Sequence, residues 1–122
     1  MDNKEAGRIF HEIAFWLEIA GDNPFKIRSY ANAARLLEKL PESVEDVHRA
    51  SRLRELDGIG EALEKKLDEL LTTGRLSFLE TLRSRFPEGL FDLSKVQGIG
   101  PKTIKHLYES LFVDSIEALR DA

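Results

Sequence analysis

Two glycine bends, Gly58-Ile59-Gly60 and Gly98-Ile99-Gly100, carry the clearest chemistry in this chain. A short segment with apolar ends leads into each, Leu53 to Leu56 in one and Leu93 to Val96 in the other. A second amphipathic stretch follows each, with Lys65 and Lys105, Leu67 and Leu107, Leu71 and Leu111 in matching frames. Glycine admits positive φ and lets another backbone come close, while the isoleucine can fill the gap between two helices. The first amides of the following helix lack partners inside it, and its dipole favours an anion there. The chemistry is phosphate binding by main-chain N–H groups, with Lys102 and Lys105 beside the second bend as further phosphate contacts. One Gly-x-Gly says little. Two in the same frame predict paired helix-hairpin-helix motifs that hold a sugar-phosphate strand with little reading of bases.

The elements that must position these bends are helices. Strand-type alternation is missing, and Pro24, Pro41, Pro87 and Pro101 fall where helices begin or stop. The fold class is all-α, a small helical bundle. Asp2 to Ala20 reads as a first helix, with Ile9, Ile13, Leu17 and Ala20 as its stripe and Phe10, Phe15 and Trp16 beside it as packing. Asn23-Pro24 opens a second, to about Leu40, with Ile27, Tyr30, Ala34 and Leu37 inward. Ser43 is placed to cap a short helix, Val44 to Ala50. Gly60 to Thr73, Ser77 to Arg85, Leu90 to Lys95, Pro101 to Leu111 and Ser115 to Arg120, capped by Asp114, complete the expectation. Phe86-Pro87-Glu88-Gly89 turns the chain and marks a boundary between residues 1–86 and 87–122.

The 122 residues include no cysteine, which excludes a disulfide framework or thiolate metal site and suits a cytoplasmic location. Ile9 to Ala20 is the most apolar window, but His11, Glu12 and Glu18 interrupt it, so no membrane span is expected. The opening Met1-Asp2-Asn3-Lys4-Glu5 is unlike a signal peptide. A net charge of -4 argues against nucleic acid at first sight. A cradle built from amides needs few lysines, however, and the charges from Arg75 to Ala122 cancel. The expectation is modest, salt-sensitive affinity.

Ile27-Arg28-Ser29-Tyr30-Ala31-Asn32-Ala33-Ala34, Leu56-Asp57-Gly58-Ile59-Gly60, Lys66, Thr73-Gly74-Arg75-Leu76 and Val96-Gln97-Gly98-Ile99-Gly100-Pro101 resemble, in order and spacing, the amino-terminal part of family X DNA polymerases. Asn23-Pro24-Phe25-Lys26-Ile27-Arg28 and the opening residues look most like bacterial members, which carry a carboxy-terminal metallophosphoesterase (PHP) domain. The resemblance implies a lyase-type helical domain over residues 1–86 and the start of the fingers over 87–122. It implies DNA as partner, gapped or nicked with a 5′-phosphate, in base excision repair. The first hairpin would hold the strand downstream of a gap and the second the primer strand. A monovalent cation, Na+ or K+, would sit on the hairpin carbonyls. No strand pattern here carries paired aspartates, and His11, His48 and His106 lack ligand spacing, so neither a polymerase nor a phosphoesterase active site is expected in these residues. The chain reads as part of a longer enzyme, with polymerase and PHP domains downstream, or as a module working alone.

The same resemblance places at Lys66 the lysine that attacks an abasic sugar, forms a Schiff base and eliminates the phosphate. Helix geometry favours Lys66 over its neighbour. At about 100° per residue, Lys66 falls at the edge of the Leu63, Leu67, Leu70, Leu71 stripe, and Lys65 falls opposite, in reach of Glu69. Partial burial would favour the neutral amine that a nucleophile needs. Lys66 also fits a helix lysine lying along apolar surface. Lys26 and Tyr30 match the family's phosphate-pocket positions, although Tyr30 suits the core equally well. Ala62 and Phe78 stand where lyase-active members have lysines, and Arg75 is the residue placed to substitute. Three functions remain in view: a DNA-holding region, a deoxyribose-phosphate lyase, and a protein-interaction scaffold.

Overall fold

The structure, a computed structural model, describes residues 1–87, 89–95 and 99–111. Val96, Gly98 and the expected helix from Ser115 to Arg120 lie outside the described residues. The described helices are α1 Asn3–Ile19, α2 Pro24–Lys39, α3 Val44–Arg49, α4 Glu61–Thr73, α5 Ser77–Ser84, α6 Gly89–Leu93 and α7 Pro101–Leu111. The described residues contain no strand, and no helix among them is long and apolar enough to cross a membrane.

Helix α1 is the common support. Asp2 caps it, accepting from the Glu5 amide at 2.7 Å. The expected single stripe is a smaller surface than the one buried: Glu12 through Leu17 are enclosed without interruption, whereas Ile9 and Ala20 are half-buried. The reason is that α2, α5 and α7 all pack against α1 and close its several faces. Gly7 is where α2 comes nearest. A Cβ there would meet the Glu38 Cγ at 2.6 Å and the Ala34 carbonyl oxygen at 3.0 Å. Asn23 then starts α2, accepting from the Phe25 amide at 2.8 Å, with Pro24 in the first turn, where no N–H is needed.

Two caps are supplied from a distance. Ser43 makes no side-chain cap to α3. Asn3 of α1 does so instead, its Oδ1 accepting from the Val44 amide at 2.8 Å while its Nδ2 donates to the Glu42 carbonyl at 2.7 Å. In the same way Glu69 of α4 accepts from the Ser77 amide at 2.8 Å and the Ser77 hydroxyl at 2.6 Å, anchoring the start of α5. Those bonds hold the Glu69 carboxyl below its ordinary value. Glu69 is therefore no partner for Lys65, whose ammonium lies 3.4 Å from Glu61.

An aromatic seam joins α1 to the chain beyond Phe86. Trp16 stacks on Phe86 with centroids 5.4 Å apart and rings 7° from parallel, and Phe15 meets Phe91 edge-on at 5.2 Å. Leu90, Leu93 and Ile104 are fully enclosed in the same core. Each such side chain contributes about 1.5–3 kcal/mol on burial. Against the seam, Glu12 is only 7% exposed. It accepts from the Trp16 indole at 2.8 Å and from Arg83 of α5 at 2.6 and 2.7 Å. Burial pushes this carboxyl up, but the hydrogen bonds from Arg83 and Trp16 outweigh it and the net shift is downward.

Candidate nucleic-acid interface

The first hairpin is built by a chain of short turns. A 3-10 turn, Leu53–Glu55, ends with the Leu56 amide donating to the Leu53 carbonyl at 3.1 Å, and the Ile59 amide donates to the Leu56 carbonyl at 3.1 Å. Between them Gly58 takes φ 83, a left-handed value that a side chain resists. Ile59 turns inward and is 4% exposed, so it plugs the helix gap as expected. Its amide is consumed by the turn, which moves the donor set onward. No side chain caps α4, and its first internal bond is the Glu64 amide to the Gly60 carbonyl at 2.9 Å. The amides of Glu61, Ala62 and Leu63 therefore have no partner among the described residues and point out of the helix start.

Gly60 explains where a ligand would approach. Its φ of -90° suits any residue, and a Cβ on it would meet nothing within 4 Å. Neither backbone conformation nor internal packing calls for glycine here. A side chain here would stand in open space at the start of α4, the residue before the unbonded amides.

The second hairpin repeats the frame where it is described. The Ile104 amide donates to the Gly100 carbonyl at 3.0 Å, Ile104 is wholly buried, and a Cβ on Gly100 would again meet nothing within 4 Å. Ile99 is half-buried. Pro101 opens α7 and carries no N–H, so this cradle has one donor fewer than the first. Lys102 is exposed beside it. Lys105, one turn on, reaches the turn after α1 instead: its ammonium is 3.9 Å from Glu109 and would lie 3.1 Å from a Cβ on Gly21.

Beside the first bend lies an open cavity of about 590 Å³, lined by Gly58, Gly60, Ala62, Leu63, Lys66, Lys26, Ser29, Tyr30, Glu61 and Phe78. The fold thus brings together the first bend and the three residues Lys66, Lys26 and Tyr30, which are remote in sequence. Phe78 is the centre of the cluster. The Lys66 ammonium is 4.7 Å from its ring centroid, the Lys26 ammonium 5.3 Å, and the Tyr30 ring stacks on it at 5.8 Å. Lys66 is half-buried and Lys65 exposed, as helix geometry requires. Tyr30 is 4% exposed, and burial pushes its phenol up to about 12, so its hydroxyl stays protonated. Arg75 does not join the cavity. It lies past the end of α4, where its guanidinium binds Glu80 at 2.7 and 2.8 Å, so it supplies no charge for the missing lysines at Ala62 and Phe78.

The histidines sit in separate polar contacts: His11 is 2.9 Å from Glu38, His48 2.6 Å from Asp68, and His106 3.3 Å from Ser110. Among the described residues no three metal-ligating side chains converge. The sequence pattern passed over Ser29 and Phe25. Ser29 falls one position before Tyr30 on the pocket side of α2, a signal available from spacing alone.

A family model described as a helix-hairpin-helix domain matches residues 1–76, and one described as a SAM-like helix-hairpin-helix tandem matches residues 90–122. The DNA polymerase/3′-5′ exonuclease PolX of Bacillus subtilis (strain 168) is 36% identical over 122 residues, which is 100% of this chain and 21% of that protein. The chain belongs to the helix-hairpin-helix family, as an amino-terminal region of family X polymerase type. DNA polymerase lambda of Arabidopsis thaliana is 38% identical over 82 residues, 66% of this chain and 15% of that protein. This family X region therefore spans about a fifth of the length of its Bacillus relative. Both hairpins fall inside the matched segments, one in each.

Proposed function

We propose that this region holds DNA at a gap or nick for a longer family X polymerase working in cytoplasmic base excision repair. Residues 1–86 would act as the lyase-type unit and 87–122 as the start of the fingers. The observation that carries the reading is the row of unbonded amides at Glu61, Ala62 and Leu63, which follows directly on Gly60, where a Cβ would meet nothing within 4 Å. A phosphate oxygen placed there accepts charge-assisted hydrogen bonds that need no lysine, so an acidic chain can still hold a strand. The adjoining cavity supplies Lys26 and Lys66 for a terminal 5′-phosphate, with the Tyr30 hydroxyl at its wall. The first hairpin takes the downstream strand and the second the primer strand, with Lys102 beside it. In the first turn the Leu56 carbonyl is used once, and the Ile59 carbonyl accepts no hydrogen bond among the described residues. Those main-chain oxygens fit Na+ or K+, which would bridge the turn and a phosphate. Polymerase and PHP activities belong to the residues that would follow.

Fluorescence titration with gapped duplex, with and without a 5′-phosphate, tests the reading. Tighter binding with the phosphate and a fall with salt are expected. No binding at low salt, or binding indifferent to salt, points to a protein scaffold instead.

A second reading has its own observation. Lys66 is the half-buried amine of the cavity, oriented over the Phe78 ring, where an abasic aldehyde would enter. If it acts as nucleophile, borohydride traps a covalent adduct with 5′-abasic DNA, and Lys66→Ala abolishes the adduct. The neutral Ala62 and Phe78 leave the leaving phosphate with less charge to support it, which favours the holding role.

A further inference from the structure

Many cations of this acidic chain are held in ion pairs: Lys26, Arg49, Arg52, Arg54, Lys65, Arg75, Arg83, Lys95 and Lys105. Among the described residues, most of the cations that pair with no carboxylate lie on α2 and on the start of α1. Arg28, Arg35 and Lys39 lie along α2, and Lys4 and Arg8 lie beside them on α1. Lys66 and Lys102 belong to the hairpins, and Arg85 lies over the Phe86 ring at 5.5 Å.

The α2 members form one line. Phe25, Arg28, Asn32, Arg35 and Lys39 recur at alternating steps of three and four residues, all exposed, opposite the buried Tyr30, Ala33, Ala34 and Leu37. No carboxylate occupies this stripe. Arg35 is held in place by the Asn32 side chain at 2.7 Å. At the far end, Lys39 shares a shallow depression with Lys4, Arg8, Asp2 and Glu38. Asp2 is the α1 cap, and Glu38 is engaged by His11. At the near end stands Phe25, 72% exposed, with the Arg28 guanidinium 4.9 Å over its ring. No other large apolar side chain among the described residues is so exposed.

We propose that the outer face of α2, extended by Lys4 and Arg8, is a track for single-stranded nucleic acid with Phe25 as a stacking platform at its head. Cations in a row with an exposed aromatic are the elements that hold single strands without reading sequence. At about 1.5 Å per residue the line from Phe25 to Lys39 runs about 21 Å, room for a stretch of several nucleotides. The track begins next to Lys26 and Ser29 of the cavity, so an unpaired strand could run from the held end along α2. An anionic membrane fits less well, because a membrane-docking helix buries a broad apolar sector and this face offers one phenylalanine. The choice of strand rests on reading the cavity as a strand-end site. The track itself does not.

The test uses the 122-residue chain, a labelled oligothymidylate and a triple variant, Arg28→Ala with Arg35→Ala and Lys39→Ala. All three positions are exposed, and circular dichroism checks that the helices remain. Binding of the oligothymidylate should weaken about tenfold or more, and the slope of log affinity against log salt should shrink by about 2, at about 0.7 for each lost phosphate contact. Phe25→Ala should weaken the oligothymidylate and leave an abasic phosphodiester strand of equal length unaffected. The triple variant should keep the preference for a 5′-phosphate on gapped duplex, since Lys26 and Lys66 are untouched. A triple variant that binds oligothymidylate like the parent, or a parent that ignores it at low salt, overturns the track. So does a parent that binds phosphatidylserine vesicles but no oligothymidylate. If the parent shows no 5′-phosphate preference while oligothymidylate binding follows the stripe, the strand-end reading fails and the track stands.

Discussion

Replacing Gly60 by alanine separates the two roles a glycine can have. At Gly58 the φ of 83° is itself the reason for glycine, and an added side chain costs about 1–2 kcal/mol of left-handed strain. At Gly60 the backbone is extended and the new methyl meets nothing within 4 Å, so the fold imposes no strain. Alanine is a weaker N-cap than glycine, while its smaller unfolded-state entropy works the other way, by about 0.4–1 kcal/mol. The two roughly cancel, and the melting temperature should stay within a few degrees. Binding should not survive as well. The methyl would occupy the approach to the Glu61 and Ala62 amides, and losing one or two charge-assisted hydrogen bonds at about 1.5–3 kcal/mol each predicts at least about a tenfold loss. Anisotropy titration of gapped duplex, run beside a thermal melt, reads both numbers. A Gly60→Ala protein of native stability that binds DNA like the parent would refute phosphate binding at this bend.

Other perturbations act on the scaffold. Arg83→Met leaves the Glu12 carboxylate nearly buried with only the Trp16 indole as donor, and should cost about 1–3 kcal/mol, discounted because the Arg83 side chain is 55% exposed. In the parent, the lowered Glu12 carboxyl adds stability that is present above the ordinary value of 4.5 and is lost as pH falls below it. Melts between about pH 6 and 3 should show this decline in the parent and a weaker one in Arg83→Met. Ser51 is the described non-glycine with a positive φ, 57°, so Ser51→Gly should raise stability by about 0.5–1 kcal/mol in urea titration. Gly7→Ala should lower it by about 1–2 kcal/mol, since the Ala34 carbonyl cannot step aside as the Glu38 side chain can.

The features legible in sequence were those written in local signals. Glycine and proline marked the ends of α1, α4 and α7, and leucine spacing placed Lys66 at the edge of the buried face. The repeated bend gave the hairpins, whose described parts share one hydrogen-bond register, from the Glu64 amide to Gly60 and the Ile104 amide to Gly100. What stayed hidden depends on partners far along the chain. Ser43 has the right chemistry for a cap, but Asn3 arrives first from another helix. Arg75 has the charge for the phosphate cavity, but Glu80 holds it at the opposite end of α4. Glu12 reads as a polar break in an apolar run until Arg83 folds back onto it. A single periodicity likewise cannot report that α1 is covered from several directions.

Because α1 packs against elements on both sides of Phe86, Gly60 and Gly100 are carried on one common support. On the DNA-holding reading such a molecule would act as a caliper, its two jaws joined through the Trp16 and Phe86 contact. Duplexes whose broken ends already match that opening would then be favoured, and those that must be bent or stretched to reach it would bear the distortion themselves. Loosening the contact would trade that discrimination for reach.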